Sequence, residues 1–382
     1  MRVAILGTRG VPAAYGGFET LAEELSVRLA RRGHDVTVYA RRGCVREDLA
    51  SIHGVRVVFA PTVKHKYLET VVHGVTSGLH AAAEGYDAVL FCNGANALAC
   101  RLPRLLGAGT RVLLNVDGLE RNRRKWNRAG KAVYALSERL SCVLPDVVVT
   151  DAREIRRYYL ERYGRASAYV PYGSDLQAPE DLSILGRLGL ENEGYVLYVS
   201  RFEPENNPDA VVRAFRDVPG DRRLVLVGSA PYAEQFIARL KEEAAKDSRI
   251  LLPGAVYGEG YRALLAHATA YVHATEVGGT HPALIEAMGF GRPVLVHDSP
   301  ENREVAGDAA LWWDARDPAT LTRLLGTLLT DTARREALGD SARRRARERY
   351  LWDDVTTAYE TLLGALPSSG PGPGGLPSGK EC

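Results

Sequence analysis

The sequence predicts an α/β chain of two doubly wound parallel sheets facing a central cleft. Three observations carry this expectation. Short apolar runs alternate with longer stretches of helical periodicity, the pattern of successive β-loop-α units. The alternation pauses near Val170-Pro-Tyr-Gly-Ser-Asp175 and then restarts, so there are two similar halves. The length, 382 residues, exceeds what one hydrophobic core ordinarily supports.

In order along the chain, Arg2-Val-Ala-Ile-Leu6 is a buried-type strand stopped by Gly7, and Phe18 to Arg31 has helical spacing. Asp35-Val-Thr-Val-Tyr39 closes the first β-loop-α-β unit, and Val55–Ala60, Ala88–Cys92, Arg111–Asn115 and Val147–Thr150 continue the series. Gln177 to Glu193 reads as a connector. The second half opens on Tyr195-Val-Leu-Tyr-Val199, then a helix from Asp209 to Phe215 and the strand Arg223-Leu-Val-Leu-Val227. Ile250–Leu252, Ala270–His273 and Pro293–Val296 complete it. These units imply a Rossmann-like domain over 1–175 and a second over 176–349. A helix over 350–364, whose aromatic residues read as packing, returns to the first domain, and the Pro/Gly/Ser-rich tail 367–382 is expected to be disordered.

Composition narrows the function classes. With 46% hydrophobic and 25% charged residues the chain is of ordinary globular type, and a formal charge of +2 gives no whole-protein case for nucleic acid. The basic runs Arg121-Asn-Arg-Arg-Lys125 and Arg343-Arg-Arg-Ala-Arg347 read as solvated helix faces. Five cysteines without metal-ligand spacing fit a reduced, cytoplasmic chain. No apolar run reaches the roughly 20 residues that span a bilayer, which leaves peripheral contact with a membrane open.

Three loops carry the candidate chemistry. Gly278-Gly279-Thr280-His281-Pro282 precedes Ala283-Leu-Ile-Glu286 and then the strand Gly291-Arg-Pro-Val-Leu-Val296. It reads as a glycine turn at a helix start, where unpaired N–H groups receive a phosphate, with one carboxylate placed for sugar or ribose hydroxyls: a nucleotide-sugar site. Gly7 to Thr20 joins the first strand to the first helix at the carboxyl ends of the strands, where open α/β sheets bind ligands. Its glycines form neither the dinucleotide fingerprint nor a P-loop, and the paired Gly16-Gly17 favours an anion or acceptor contact. Ser200-Arg201-Phe202-Glu203 follows the first strand of the second half in the equivalent place, and an arginine there can hold a diphosphate by two parallel hydrogen bonds. Glu19, Asn93, Asn96 and Glu120 are acceptor-side candidates, with Arg123, Lys125 and Trp126 beside them. His73 and His281 are secondary, and capping or turn chemistry explains His281, Asn93 and Asn96 equally well.

These residues resemble the retaining glycosyltransferases of family 4, which have the two-domain GT-B fold. Gly7-Thr-Arg-Gly-Val-Pro with Tyr15-Gly-Gly-Phe-Glu-Thr20, Asn115-Val-Asp-Gly-Leu-Glu120, Glu203-Pro-Glu-Asn-Asn207 and Val277-Gly-Gly-Thr280 are similar to its rhamnosyltransferase-like branch, over roughly 1–363. The resemblance implies that Gly16 and Gly17 give backbone N–H groups near the donor diphosphate or acceptor. It implies that Arg201 binds the diphosphate, that Gly279 and Thr280 complete its cradle, and that Glu286 takes the ribose hydroxyls. Asp117 falls near the place where many relatives line the reacting sugar with a histidine.

Two positions depart from the family. Asn206 stands where many members have lysine, and Gly278 where many have a second glutamate, with Glu276 the candidate substitute. Leaving-group charge is handled in this reading by fixed donors, without a metal, a cofactor or a protein nucleophile. The expected partners are a nucleotide diphosphate sugar and a hydroxyl acceptor on a glycan, a lipid-linked sugar or a small molecule. An NAD(P)-dependent dehydrogenase and a non-catalytic nucleotide-sugar binder are the competing classes. Against the first, Arg41-Arg42 stand where a ribose-binding acid is expected.

Overall fold

The computed structural model describes residues 1–65, 68–106, 109–116, 118–123, 126–230 and 233–365. Asp117, Lys125, Cys382 and the tail 367–382 lie outside these residues. The first half builds a sheet from β1 (Arg2–Leu6), β2 (Asp35–Arg41), β3 (Ser51–Ile52), β4 (Val55–Ala60), β5 (Ala88–Cys92), β6 (Arg111–Asn115), β7 (Val147–Thr150) and β8 (Ala168–Tyr169). Their spatial order is β3-β4-β2-β1-β5-β6-β7-β8. All pairs are parallel except the short β3 against β4. The second half builds β9 (Tyr195–Val199), β10 (Arg223–Val227), β11 (Ile250–Gly254), β12 (Ala270–His273), β13 (Val294–His297) and β14 (Ala310–Trp313), in the order β11-β10-β9-β12-β13-β14. Every pair there is parallel. Both sheets reverse direction beside their first strand, at β1/β5 and at β9/β12. That reversal opens a crevice at the carboxyl ends of the strands.

The central strands are buried along their length, which is why they read as continuous apolar runs rather than alternating ones. Helices cover both faces: α1 (Gly17–Arg31), α2 (Glu69–Glu84), α3 (Arg128–Ser141) and α4 (Arg153–Tyr163) on the first sheet, with a 3-10 segment Gly94–Arg104 between α2 and α3. Six helices accompany the second sheet: α5 (Ser183–Leu188), α6 (Pro208–Arg216), α7 (Glu234–Ala244), α8 (Gly258–Ala266), α9 (Pro282–Gly289) and α10 (Pro300–Ala306). The chain then runs through α11 (Pro318–Thr330) and α12 (Thr332–Arg349), and α13 (Trp352–Gly364) packs on α1 of the first half.

Several details differ from the sequence expectation. The connector 177–193 contains α5, a helix too short for its periodicity to register. The helix expected over 350–364 begins only at Trp352, because Ser174 N–H donates to Tyr350 O at 2.7 Å and holds that turn open. The basic runs are only partly solvated: Arg343, Arg344 and Arg347 are exposed as expected, whereas Arg123 is buried, and several of these arginines are engaged by the protein. Arg343 donates to Phe290 O and Arg345 to Val305 O and Glu304 O, satisfying carbonyls at the ends of α9 and α10. Arg121 donates to Tyr158 Oη and pairs with Glu138. Trp352 and Tyr359 are buried in packing: Tyr359 Oη accepts from Asn115 Nδ2 at 2.7 Å, and Trp352 fills the space beside Gly173.

Candidate functional site

Two cavities lie in the crevice. The smaller, about 250 Å³, sits against the second half and is lined by Ser200, Arg201, Gly228, Ser229, Tyr257, Tyr261, Gly278, Thr280, His281 and Glu286, with Gly16, Gly17 and Tyr172 closing it from the first half. The larger, about 1230 Å³, is lined mainly by the first half. They meet at Tyr15, Gly16, Gly17, Arg123 and Arg201, which line both. The segments that supply these residues follow β1, β6, β8, β9, β10, β11 and β12, so the topology delivers them to one place.

In the smaller cavity Glu286 lies on α9 and accepts a hydrogen bond from Tyr261 Oη of α8. Burial pushes its carboxyl up to about 7, the Tyr261 hydrogen bond opposes this, and Glu24 adds to it. Gly278 is not an empty position. A Cβ there would stand 2.5 Å from His281 Cε1, so the His281 ring occupies the space that a side chain at 278 would need. That ring lies 4.8 Å from the His273 ring, centre to centre. Burial, then His273, Arg123 and Arg201, hold His281 well below its ordinary pKa of 6.5, so it is neutral. Glu276, the expected substitute, turns elsewhere: its Oε1 accepts from Asn207 Nδ2 at 3.1 Å, and it lines neither cavity.

The glycine turn is already engaged. Thr280 N and Oγ1 donate to Asp151 Oδ2, at 2.9 and 3.3 Å, across from the end of β7. Gly279 leaves room for that carboxylate, since a Cβ would come within 2.1 Å of Asp151 Oδ1. The turn therefore binds an anion in this structure, and the anion is a side chain of the other half. Gly17 permits a similar approach, with its Cβ position 3.0 Å from Tyr172 Oη and 3.3 Å from Pro282 Cγ.

At the junction the Tyr15 ring lies between two guanidiniums, Arg9 at 3.5 Å and Arg201 at 5.8 Å from its centre. Burial works against the Arg201 charge, but Glu203, Tyr15 and Glu120 outweigh it and raise the pKa, so the guanidinium stays protonated. Asn206 lines the smaller cavity but brings no cation to it, and its Nδ2 donates to Arg201 O at 2.7 Å. A second guanidinium comes instead from the first half. Arg123, with a side chain 5% exposed, pairs with Glu120 at 2.5 Å and approaches Glu203 at 3.7 Å and Glu205 at 3.9 Å.

In the larger cavity Glu19 lines the wall while its Oε1 accepts from Arg9 N at 2.8 Å. Glu120 lines it beside Trp126, whose Nε1 donates to Glu120 Oε2 at 3.2 Å. Asn93 also lines it, with a backbone φ of 76° and its side chain accepting from Ala95 N. Asn96 is a correction: it is buried beneath α2, its Nδ2 donating to Cys92 O at 2.7 Å, and it lines neither of the two cavities. His73 is likewise buried in α2, its Nε2 against Ala40 O. Sequence reading missed Tyr15, Asp151 and Tyr261 as site residues, and placed Arg123 on the acceptor surface rather than at the junction. Asp151 carried one usable signal, its position at the carboxyl end of a strand; Tyr261 carried none, because α8 is brought to α9 by folding. Among the described residues no group of histidine, cysteine and carboxylate side chains has the grouping of a metal site.

A crevice between two Rossmann-like halves, with a charged junction between a small and a large cavity, defines a two-domain α/β protein. The family profile "Glycosyltransferase Family 4" matches residues 15–178, and "Glycosyl transferases group 1" matches 185–345. A GDP-mannose-dependent alpha-(1-6)-phosphatidylinositol monomannoside mannosyltransferase of Mycolicibacterium smegmatis is 28% identical, covering 91% of this chain and 94% of that protein. The O-antigen chain mannosyltransferase B of Escherichia coli is also 28% identical, and there the match spans about half of each, 52% and 52%. Among solved structures, sucrose-phosphate synthase from Thermosynechococcus elongatus superposes with a TM-score of 0.78 at 18% identity, over 95% of this chain and 98% of that one. Anabaena HepE in complex with UDP and glucose gives 0.76 at 17%, over 96% and 100%. The chain is a GT-B glycosyltransferase of the family 4 type.

Proposed function

We propose that the chain is a retaining, metal-independent transferase that moves a sugar from a nucleotide diphosphate sugar to an acceptor hydroxyl. The observation that carries this is the junction: two guanidiniums, Arg201 and Arg123, stand where the smaller cavity opens on the larger. In this reading the nucleoside lies in the smaller cavity with its ribose on Glu286, near Tyr257 and Tyr261. The diphosphate reaches Arg201 and the amide groups of Gly16 and Gly17, and the acceptor enters through the larger cavity past Glu19, Asn93 and Glu120. Sugar-phosphate cleavage builds charge on the departing diphosphate, and fixed cations there stabilise the transition state more than the ground state. Arg123 supplies the second positive charge that Asn206 does not. The leaving phosphate then accepts the acceptor's hydroxyl proton on the same face, so configuration is retained without a protein nucleophile. His281 takes the place of the glutamate absent at Gly278 and presents a neutral ring to the donor sugar.

Rhamnose is the sugar the motif resemblance favours, whereas two relatives are mannosyltransferases by name. A thermal-shift screen of dTDP-, UDP- and GDP-sugars decides between them, because the bound donor stabilises the fold by mass action. Arg201→Ala and Arg123→Gln are each expected to lower turnover by about 10²–10³ at unchanged fold, the range for loss of one transition-state donor. Wild-type turnover in either would remove that residue from the leaving-group site.

A further inference from the structure

Helix α3 turns large apolar side chains outward, although its Leu140 packs inward against the core. Its buried residues are polar or small, Gly130, Ser137, Glu138 and Ser141, whereas Val133 and Leu136 are 59% and 57% exposed and Val143, just past its end, is 66% exposed. A surface helix of a water-soluble domain normally has the reverse arrangement. The inward polar groups are held by the protein: Ser137 Oγ donates to Gly94 O at 2.6 Å, and Glu138 accepts from Tyr158 and Tyr163 at 3.0 and 2.9 Å. The apolar stripe is therefore fixed outward by hydrogen bonds made behind it. The adjoining segment 94–106, packed against α3, exposes Leu98, Leu105 and Leu106 as well. Of the thirteen exposed large apolar side chains among the described residues, eleven lie between Met1 and Leu160. Apolar exposure is thus a property of the first half.

Charge identifies the occupant. Arg101, Arg128, Lys131 and Arg139 are exposed on the same two elements, while the one acid on α3, Glu138, is buried and Gly94–Arg104 has none. A polar protein partner would call for both signs; an apolar stripe flanked by cations alone complements an anionic lipid surface. The position fits too, since Val133 and Leu68, both exposed, also line the larger cavity.

We infer that α3 and segment 94–106 seat the first domain on an anionic bilayer, so that the larger cavity opens at headgroup level and takes a lipid-borne hydroxyl acceptor. The acceptor clause rests on the transferase reading, and the docking clause does not.

Flotation of the full chain with phosphatidylcholine vesicles, alone or mixed with phosphatidylglycerol, tests it. The wild type is expected to float with the mixed vesicles, to be released by salt, and to stay behind with phosphatidylcholine alone. Leu136→Glu with Val143→Glu should lower the bound fraction at least about tenfold, since it removes buried apolar groups and adds like charge to the lipid. The same double variant should keep its melting temperature and its donor hydrolysis in solution. Absence of wild-type binding to mixed vesicles overturns the docking while leaving the transferase reading intact. Equal binding to both vesicle types overturns the choice of anionic lipid. A dimer in sedimentation velocity that the double variant abolishes assigns the face to a second copy and overturns the proposal. Transfer to a soluble glycan that matches transfer to the same glycan on a lipid carrier in mixed vesicles overturns the acceptor clause alone.

Discussion

Glu286 carries the sharpest pH signature in the crevice. Burial raises its carboxyl from the ordinary 4.5 to about 7, so ionising it is costly in the folded chain. This group therefore lowers stability as pH rises from about 4.5 towards 7, because over that range the folded state holds the proton more tightly than the unfolded one. Binding has the opposite sign. In the proposed site ribose hydroxyls would donate to the ionised carboxylate, so affinity for an intact nucleotide sugar, whose phosphodiester does not titrate there, is expected to fall as pH drops through about 7. Calorimetric titration across that range checks it, and the step should vanish in Glu286→Gln. A step that survives the substitution belongs to another group. The neighbouring position shows how one residue constrains another. Gly278 has no room for a side chain because His281 fills it, so the departure from the family at 278 and the histidine at 281 form one packing unit. Sequence spacing located the glycine but gave no sign of what occupied its space.

At the scale of elements, three loops of the crevice were legible because each follows a strand that ends in glycine or a polar residue. Arg201 after β9, Gly16-Gly17 before α1 and Glu286 on α9 were all found in this way, and all three line the smaller cavity. Asn96 was misread for a physical reason. A residue just after a strand can turn outward to the crevice or back beneath a helix, and only the packing of segment 94–104 against α2 decided that Asn96 bonds Cys92 O. The return of the chain to the first half depends on α13. Trp352 is 3% exposed, filling space beside Gly173, with the Arg28 guanidinium 5.6 Å from its ring centre. Trp352→Ala is expected to cost about 3–5 kcal/mol, the range for truncating a large buried aromatic. Urea denaturation measures it, and a loss below about 1 kcal/mol would show that α13 contributes little to holding the two halves.

At the scale of the whole molecule, two carboxylates hold the halves together across the crevice. Asp151 of the first half accepts from Thr280 at the start of α9. Glu304 of the second half accepts from Arg153 N, at 2.9 and 2.8 Å, at the start of α4. Each places negative charge at a helix N-terminus, and the two contacts point in opposite directions across the interface. Asp151 also occupies the turn where a donor phosphate was expected, so a donor that used this turn would compete with the latch for one set of N–H groups. Asp151→Asn with Glu304→Gln is accordingly expected to enlarge the radius of gyration in small-angle scattering. The double variant should also bind the nucleotide sugar more tightly in calorimetry, because a competing anion is gone. An unchanged radius would mean that other contacts, such as Arg123 with Glu203 at 3.7 Å, keep the crevice closed.

The sequence by itself determined the strand and helix alternation, its restart in the second half, and the loops where ligands meet the sheets. It did so because buried parallel strands must be apolar throughout and because glycines mark the turns at their ends. Tertiary structure alone decided the contents of the crevice: which carboxylate fills the glycine turn, which arginine joins Arg201, and which face of α3 looks outward. Those outcomes depend on contacts between different elements, from Glu138 with Tyr158 to Asp151 with Thr280, and no local pattern encodes such a partner.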